Sequence, residues 1–419
     1  MTLRPDETQL QGWEATLFQA AHAISLPESL YTTISDRYST LEGILQAAGD
    51  PLLRRVHVFP QGSIRLRTAI KPAPGAEGEL ATVDADAVVW LEHIDGVQSD
   101  AVLSAIEKRF ADGCRVEAPI KQLRRGIRIV YADENPGFHI DVTPGRNVAS
   151  NQQKEGHGAL HVPDRHEGWK ASSPIAYCDW LHDVASLSLP VVAMDALNFR
   201  EAVVAKATQE DMPAYGEYID ANVLRAGIKL LKRHRDMWAI RNRALRDYRP
   251  ISAVLTTLAG RAYEKMARGS SVMRALRPLD AMLELIELMP DFIEGAAGRW
   301  AVFNPVDRGE NFAEKWNRLG EGERYREAFF QWHTDAKASF RLGLREVGSV
   351  ESFKEGMAKS FGTSKTLVEQ VLKDFPANWS IPGLAPGTTR ASLALGALSG
   401  SAVASNVSQS HIRPPERLG

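Results

Sequence analysis

Two aspartates separated by one residue, Asp84 and Asp86, stand at the head of an apolar run, Ala87-Val-Val-Trp-Leu91, downstream of a Gln61-Gly62-Ser63 turn. Side chains alternate across an extended chain, so both carboxylates face one side and Ala85 the other. A pair of carboxylates on one face suits Mg²⁺, which takes hard oxygen ligands and commonly uses one or two carboxylates plus substrate phosphates. Asp141, about 55 residues on, lies in a second short apolar strand, Phe138-His-Ile-Asp-Val142. Three carboxylates fit two-metal phosphoryl transfer, in which ions roughly 3.5–4 Å apart stabilise the attacking and leaving oxygens together. In that chemistry one ion activates a hydroxyl and the other neutralises the donor phosphates. Gly62 lets backbone and the Ser63 hydroxyl approach those phosphates closely.

Each feature alone is weak, because a lone Gly-Ser turn is usually structural and a lone D-x-D more often lies on an edge or a solvated face. The conjunction is far more specific. It predicts a metal site at Asp84, Asp86 and Asp141.

These residues need elements to position them. Apolar residues recur at helical spacing from about Thr8 to Ala48, which reads as two helices broken near Leu26-Pro27. The period then changes: Val56–Phe59, Ala81–Leu91 and Gly126–Tyr131 read as strands, with a helix at Asp100–Phe110 between two of them. Another strand is expected to stop at Pro144-Gly145. Residues 145–175 read as a long loop, rich in Gly, His, Asn and Pro. Helical period returns at Glu217–Ile240, Ile251–Met266, Arg277–Met289, Asn311–Ala338 and Ser364–Asp374. After Phe375 the composition turns to Gly, Ala, Ser and Pro, and a flexible tail is expected.

Composition narrows the partners. A chain of 419 residues, 44% hydrophobic, is more naturally two lobes than one, and a net charge of −2 gives no global field for nucleic acid. Cys114 and Cys178 are far apart, so neither a disulfide framework nor a four-cysteine zinc site is available. The first residues lack the apolar core of a signal peptide, and no apolar run is long enough to span a bilayer. A cytoplasmic location with no membrane contact is the expectation.

At these residues the sequence resembles the polymerase β-like nucleotidyltransferases, and within them the cGAS/DncV-like enzymes of bacterial antiphage CBASS systems. Besides the G-S and D-x-D motifs, the segments SSPIAYCDWL, IKLLKRHRDMW, RPISAVLTTLA and NPVDRGENFAEKW resemble family stretches, together covering most of residues 55–320. The resemblance implies an α+β fold: a mixed, largely antiparallel sheet with helices, plus a helical C-terminal lobe of the OAS type, and the active site in the cleft between. It divides the chain into residues 1–200, 201–375 and a tail at 376–419.

The same resemblance implies catalytic and metal roles for Asp84, Asp86 and Asp141, holding two Mg²⁺ ions, with Mn²⁺ as a substitute. Gln61, Gly62 and Ser63 are implied to hold the donor triphosphate, and Lys232 and Ser252 to reach the phosphates from the helical lobe. Lys232 is expected to be exposed on a helix whose opposite face carries Val223, Ala226 and Leu230. There are departures. Arg67-Thr68 stands where relatives often carry Gly-Thr, and Ala253 replaces an aromatic that stacks on a base in some relatives. His157, His161, His166 and Cys178 match no compact zinc pattern, although animal relatives carry a zinc ribbon. No activation by duplex DNA is expected.

The implied reaction joins NTPs, with ATP and GTP as the family's usual purines, into a cyclic dinucleotide such as cyclic GMP-AMP. Pyrophosphate leaves, and a downstream effector senses the product. The alternative within the superfamily is nucleotidylation of a small molecule, a protein or RNA. A catalytically dead nucleotide-binding module runs against the three intact aspartates. For the tail, the alternatives are an arm without a role and one joined through Gly419 to a target by an E1/E2-like ligase.

Overall fold

The computed structural model describes residues 5–46, 49–92, 94–111, 119–131, 136–187, 189, 222–269, 276–296 and 298–393. Two helices open the chain, α1 (Glu7–Ile24) and α2 (Glu28–Gln46), and they part at Pro27 as the sequence predicts. Asp6 caps α1 by accepting from the Gln9 N–H at 2.8 Å, which satisfies one of the amides a helix start leaves open.

The sheet then builds from β1 (Val56–Gln61), β2 (Val83–Leu91), β3 (Ile120–Leu123), β4 (Gly126–Tyr131) and β5 (Phe138–Asn147), in the order β1-β2-β5-β4-β3. β2 and β5 pair in parallel, whereas β1–β2, β3–β4 and β4–β5 are antiparallel. A four-residue helix, α3 (Gly62–Arg65), follows β1 directly, and α4 (Ser99–Ala111) precedes β3. The alternation of β2 decides which face is core. Val83, Ala85 and Ala87 are buried against Leu30, Ile34 and Leu41 of α2 and Val102 and Ile106 of α4. Asp84 and Asp86 are left on the other face.

Residues 145–175 are not a long loop. β5 runs on to Asn147, and a hairpin of β6 (Leu160–Asp164) and β7 (Gly168–Ser172) continues the sheet from its end. Pro144 is tolerated because β4 pairing has already ended at Val142, so no antiparallel rung is interrupted. The hairpin is anchored by polar residues that carry no period: the buried Asp164 carboxylate takes Arg124 Nε at 2.9 Å and Arg125 Nε at 3.2 Å.

The second layer is helical: α5 (Pro174–Ser186), α6 (Val223–Arg241), α7 (Ser252–Gly269) and α8 (Pro278–Leu288). The expected helix at Asn311–Ala338 is corrected. Its first part closes a strand, Asp307–Asn311, and a short turn, and the helix itself, α9, runs Gly322–Ser339. Two more helices follow, α10 (Val350–Phe361), which the sequence reading missed, and α11 (Lys365–Asp374). α1 packs in this helical layer, not on the sheet: Trp13 and Leu17 are fully buried with Phe340, Phe353 and Leu372.

Residues 376–393 are also packed, which corrects the expectation of a free tail over that stretch. Ile381 and Leu384 are buried, Ser380 Oγ donates to Asp6 Oδ2 at 2.6 Å, and Gln9 Nε2 donates to the Leu384 carbonyl at 3.1 Å. Gly and Pro there are the residues of a tight strap. Gly383 sits at φ +80°, with Phe353 only 2.7 Å from where a Cβ would stand. Residues 394–419, including Gly419, lie outside the described residues.

Candidate active site

The parallel register of β2 on β5 sets Asp84 opposite His139 and Asp86 opposite Asp141. His139 and Asp141 are two apart on β5, so they share a face just as Asp84 and Asp86 do. The result is one polar patch on an otherwise apolar sheet. One oxygen or nitrogen from each of Asp84, His139 and Asp141 lies within 4.8 Å of the others, and among the described residues this is the one such cluster of potential metal ligands.

Asp86 stands slightly apart. Its carboxylate packs on Gly62, which takes φ +59°; a Cβ there would lie 2.0 Å from Asp86 Oδ2, so only glycine fits. Tyr38 of α2 donates to the Asp86 carbonyl at 2.5 Å and holds the strand from behind. Ser63 Oγ donates to the Asp84 carbonyl at 3.3 Å, which ties the turn after β1 to the D-x-D strand.

The three carboxylates are not equivalent. Burial, followed by the charges of Asp84 and Asp141, pushes the Asp86 carboxyl well above its ordinary range. Asp141 is raised as well, by burial and by Asp84, although Arg128 works against the shift. Asp84 goes the other way. Burial would raise it, but the His139 hydrogen bond and the charges of His139, Arg128 and Lys232 outweigh burial and hold it low. The Asp84 side chain is 62% exposed and lines a cleft shared with Asp86, His139, Arg128 and Lys232, so its surroundings are charged and crowded.

Arg128 of β4 lies opposite Asp141 and grips it with both arms of the guanidinium, Nε to Oδ1 at 2.6 Å and Nη2 to Oδ2 at 2.8 Å. Asp141 is therefore engaged behind the patch, while Asp84, Asp86, His139 and Arg128 line the cleft itself. Crowded carboxylates with a raised proton affinity are the donor set a divalent cation relieves, since its charge removes the repulsion that burial magnifies.

The opposite wall of the cleft, which encloses about 660 Å³, comes from the helical layer. Lys232 is not exposed, contrary to the expectation: it is 5% accessible, and its Nζ donates to the Thr68 carbonyl at 2.9 Å. Burial, with Arg235 nearby, lowers its pKa to about 8, although Asp236, Asp84 and Asp86 oppose the shift. Ser252, at the start of α7, accepts from Arg235 Nη1 at 3.0 Å and also lines the cleft, as do Gln61, Gly62 and Ser63. Of the metal- and nucleotide-site residues expected from the sequence, all but Asp141 line this one cavity. Arg67 has φ +60°, a left-handed conformation that few residues other than glycine adopt.

His139, Thr82 and Arg128 were not singled out from the sequence. His139 had a signal, its two-residue offset from Asp141, but its meeting with Asp84 depends on strand pairing.

Comparison with known proteins agrees with this geometry. The model of the Second Messenger Oligonucleotide or Dinucleotide Synthetase domain matches residues 14–184. A cyclic dinucleotide synthase, CdnG, of Bradyrhizobium diazoefficiens is 26% identical over 328 residues, covering 75% of this chain and 72% of the relative. A c-di-GMP synthase of Roseivirga ehrenbergii is 24% identical over 317 residues, 74% of each chain. The fold is like that of the Bradyrhizobium diazoefficiens CdnG structure solved with GTP, at a TM-score of 0.60 and 22% identity, over 86% of this chain and 98% of that one. With a mixed α+β fold, a D-x-D strand over a cleft and these relatives, the chain is a nucleotidyltransferase that carries a Second Messenger Oligonucleotide or Dinucleotide Synthetase domain at residues 14–184 and is similar to the cGAS/DncV-like synthetases.

Proposed function

We propose that the cleft joins two purine nucleoside triphosphates into a cyclic dinucleotide, with loss of pyrophosphate, as a second messenger in antiphage defence. The observation that carries the reading is the parallel register that gathers Asp84, Asp86, His139 and Asp141 beneath Lys232 and Ser252. Asp84, Asp86 and Asp141 would hold the divalent ions, most naturally Mg²⁺ given oxygen donors, with Arg128 yielding part of its grip on Asp141. Bound there, the ions lower the pKa of the acceptor hydroxyl and neutralise charge on the donor phosphates.

The chain's own residues do the rest. Gly62 leaves room for the triphosphate to approach backbone, and Ser63 supplies a hydroxyl and an amide. Lys232 and Ser252 meet the phosphates from the helical side, where Lys232 exchanges its bond to the Thr68 carbonyl for a charged partner. The two named relatives make cyclic dinucleotides, and a cavity of about 660 Å³ is near the middle of the usual range for ligand pockets. A division near residue 200 into a sheet lobe and a helical lobe belongs to the same reading. Mass spectrometry of products formed from an equimolar mixture of the four NTPs tests it. A mass equal to two purine monophosphates less two waters is expected, and a nucleotide attached to any other acceptor would overturn it.

A further inference from the structure

We propose that His139 is a positioning residue for Asp84, its Nε2–H fixing one carboxylate oxygen while Thr82 sets the tautomer that puts the proton there. The proposal rests on the metal reading of the site given above. His139 is 4% accessible in its side chain and is held at both ring nitrogens: Nε2 lies 2.9 Å from Asp84 Oδ1 and Nδ1 lies 2.9 Å from Thr82 Oγ1. An ionised carboxylate only accepts, so the nitrogen facing it must be the donor. Nδ1 then accepts from the Thr82 hydroxyl, which is free to rotate toward it from its weaker contact, 3.4 Å, to the Glu79 carbonyl.

The arrangement does something that a third oxygen ligand would not. With Oδ1 committed to the imidazole, the other oxygen of Asp84 has a fixed direction into the cleft, and no rotamer search is needed when a cation arrives. Asp141 is oriented from the other side by the Arg128 guanidinium, which donates to both of its oxygens, so each of these two carboxylates is held by nitrogen donors of a neighbouring side chain. The competing arrangement is direct ligation. Nε2 is also 4.0 Å from Asp141 Oδ1, so a rotated tautomer would place its lone pair among the ligand oxygens and favour softer ions over Mg²⁺.

The test uses the full chain and Mn²⁺ as a paramagnetic probe. Mn²⁺ is titrated and binding is read from loss of the free-ion signal, with an Asp84→Asn/Asp86→Asn variant as background. His139→Phe is expected to weaken site-specific binding by about tenfold, the usual effect of losing a residue that orients a ligand. His139→Gln, whose amide N–H reaches Asp84 from a similar position, restores most of it, and Thr82→Val weakens it. Pulsed spectra of the wild-type complex are expected to show no directly bonded imidazole nitrogen. Wild-type affinity in His139→Phe, or a bonded nitrogen in those spectra, overturns the proposal. If His139→Phe fails to fold, unchanged affinity in Thr82→Val does so instead. Wild-type binding no stronger than background contradicts the metal reading itself, and the proposal falls with it.

Discussion

Asp86 sits among like charges, and the consequence is measurable without any substrate. An acid whose folded pKa is raised binds more protons in the native state, so stability falls as pH climbs above the unfolded value of about 3.9. Asp86→Asn removes that penalty. In metal-free buffer at pH 7 the variant is expected to melt several degrees above the parent, the gap closing toward pH 4, while synthesis disappears. A variant that melts lower at pH 7 contradicts the electrostatic account of the site. Ser63→Ala does less, because the backbone amide remains: one charge-assisted hydrogen bond, about 1.5–3 kcal/mol, corresponds to roughly a 10- to 150-fold loss of turnover. A turnover equal to the parent's removes Ser63 from the reaction. At this scale the D-x-D pair was legible because a strand's period of two is a local property. The grip of Arg128 on Asp141 and the contact of His139 with Asp84 were not, since both arise from which strand lies beside β5.

Among the elements, α6 was read correctly as a helix and wrongly as an amphipathic one. Every residue from Leu224 to Asp236 is buried, cations included, because the segment 68–72 crosses one face and α1 and α7 cover others. Lys232 donates to the Thr68 carbonyl, and Arg233 Nη2 donates to the Lys71 carbonyl at 2.5 Å and the Pro72 carbonyl at 3.2 Å. Hydropathy alone reads such a helix as solvated, since buried cations paired with carbonyls from another segment leave no periodic trace. A lysine whose pKa falls from 10.5 to about 8 on folding binds fewer protons in the native state, and native stability grows as pH rises between those values. Lys232→Met is therefore expected to leave the melting temperature at pH 7 unchanged or higher, yet to raise the apparent KM for nucleotide. In the parent, KM should climb above about pH 8, and in the variant it should stay flat there. Identical KM values in both would reduce Lys232 to a clamp on the Thr68 carbonyl.

At the scale of the whole molecule, the two layers are joined by more than the cleft. Lys170 of β7 pairs with Glu314 at 2.7 Å, and Ser173 Oγ, just after β7, donates to Asp307 Oδ2 at 2.8 Å. The strap at 376–393 closes over α1. Composition suggested a free tail because Gly and Pro weaken helix and strand alike, yet here they turn the chain so that Ile381 and Leu384 reach the core. Each is worth about 1.5–3 kcal/mol when fully buried, so truncation after Phe375 is expected to lower the melting temperature by several degrees. Truncation after Leu393 should leave both melting and synthesis intact, and equal melting of the two truncations would show that the strap contributes nothing. The central claim, that this cleft cyclises nucleotides through its aspartates, is tested most directly by incubating the full chain with α-³²P-labelled ATP and GTP and Mg²⁺, then with phosphatase. A labelled product that keeps both of its phosphates, one per nucleoside, is expected from the parent and from Lys232→Met at saturating substrate, and none from the Asp84→Ala/Asp86→Ala variant; a product that keeps one phosphate for two nucleosides is linear and contradicts cyclisation. Label released entirely as inorganic phosphate, or a resistant product from the double variant, would contradict it.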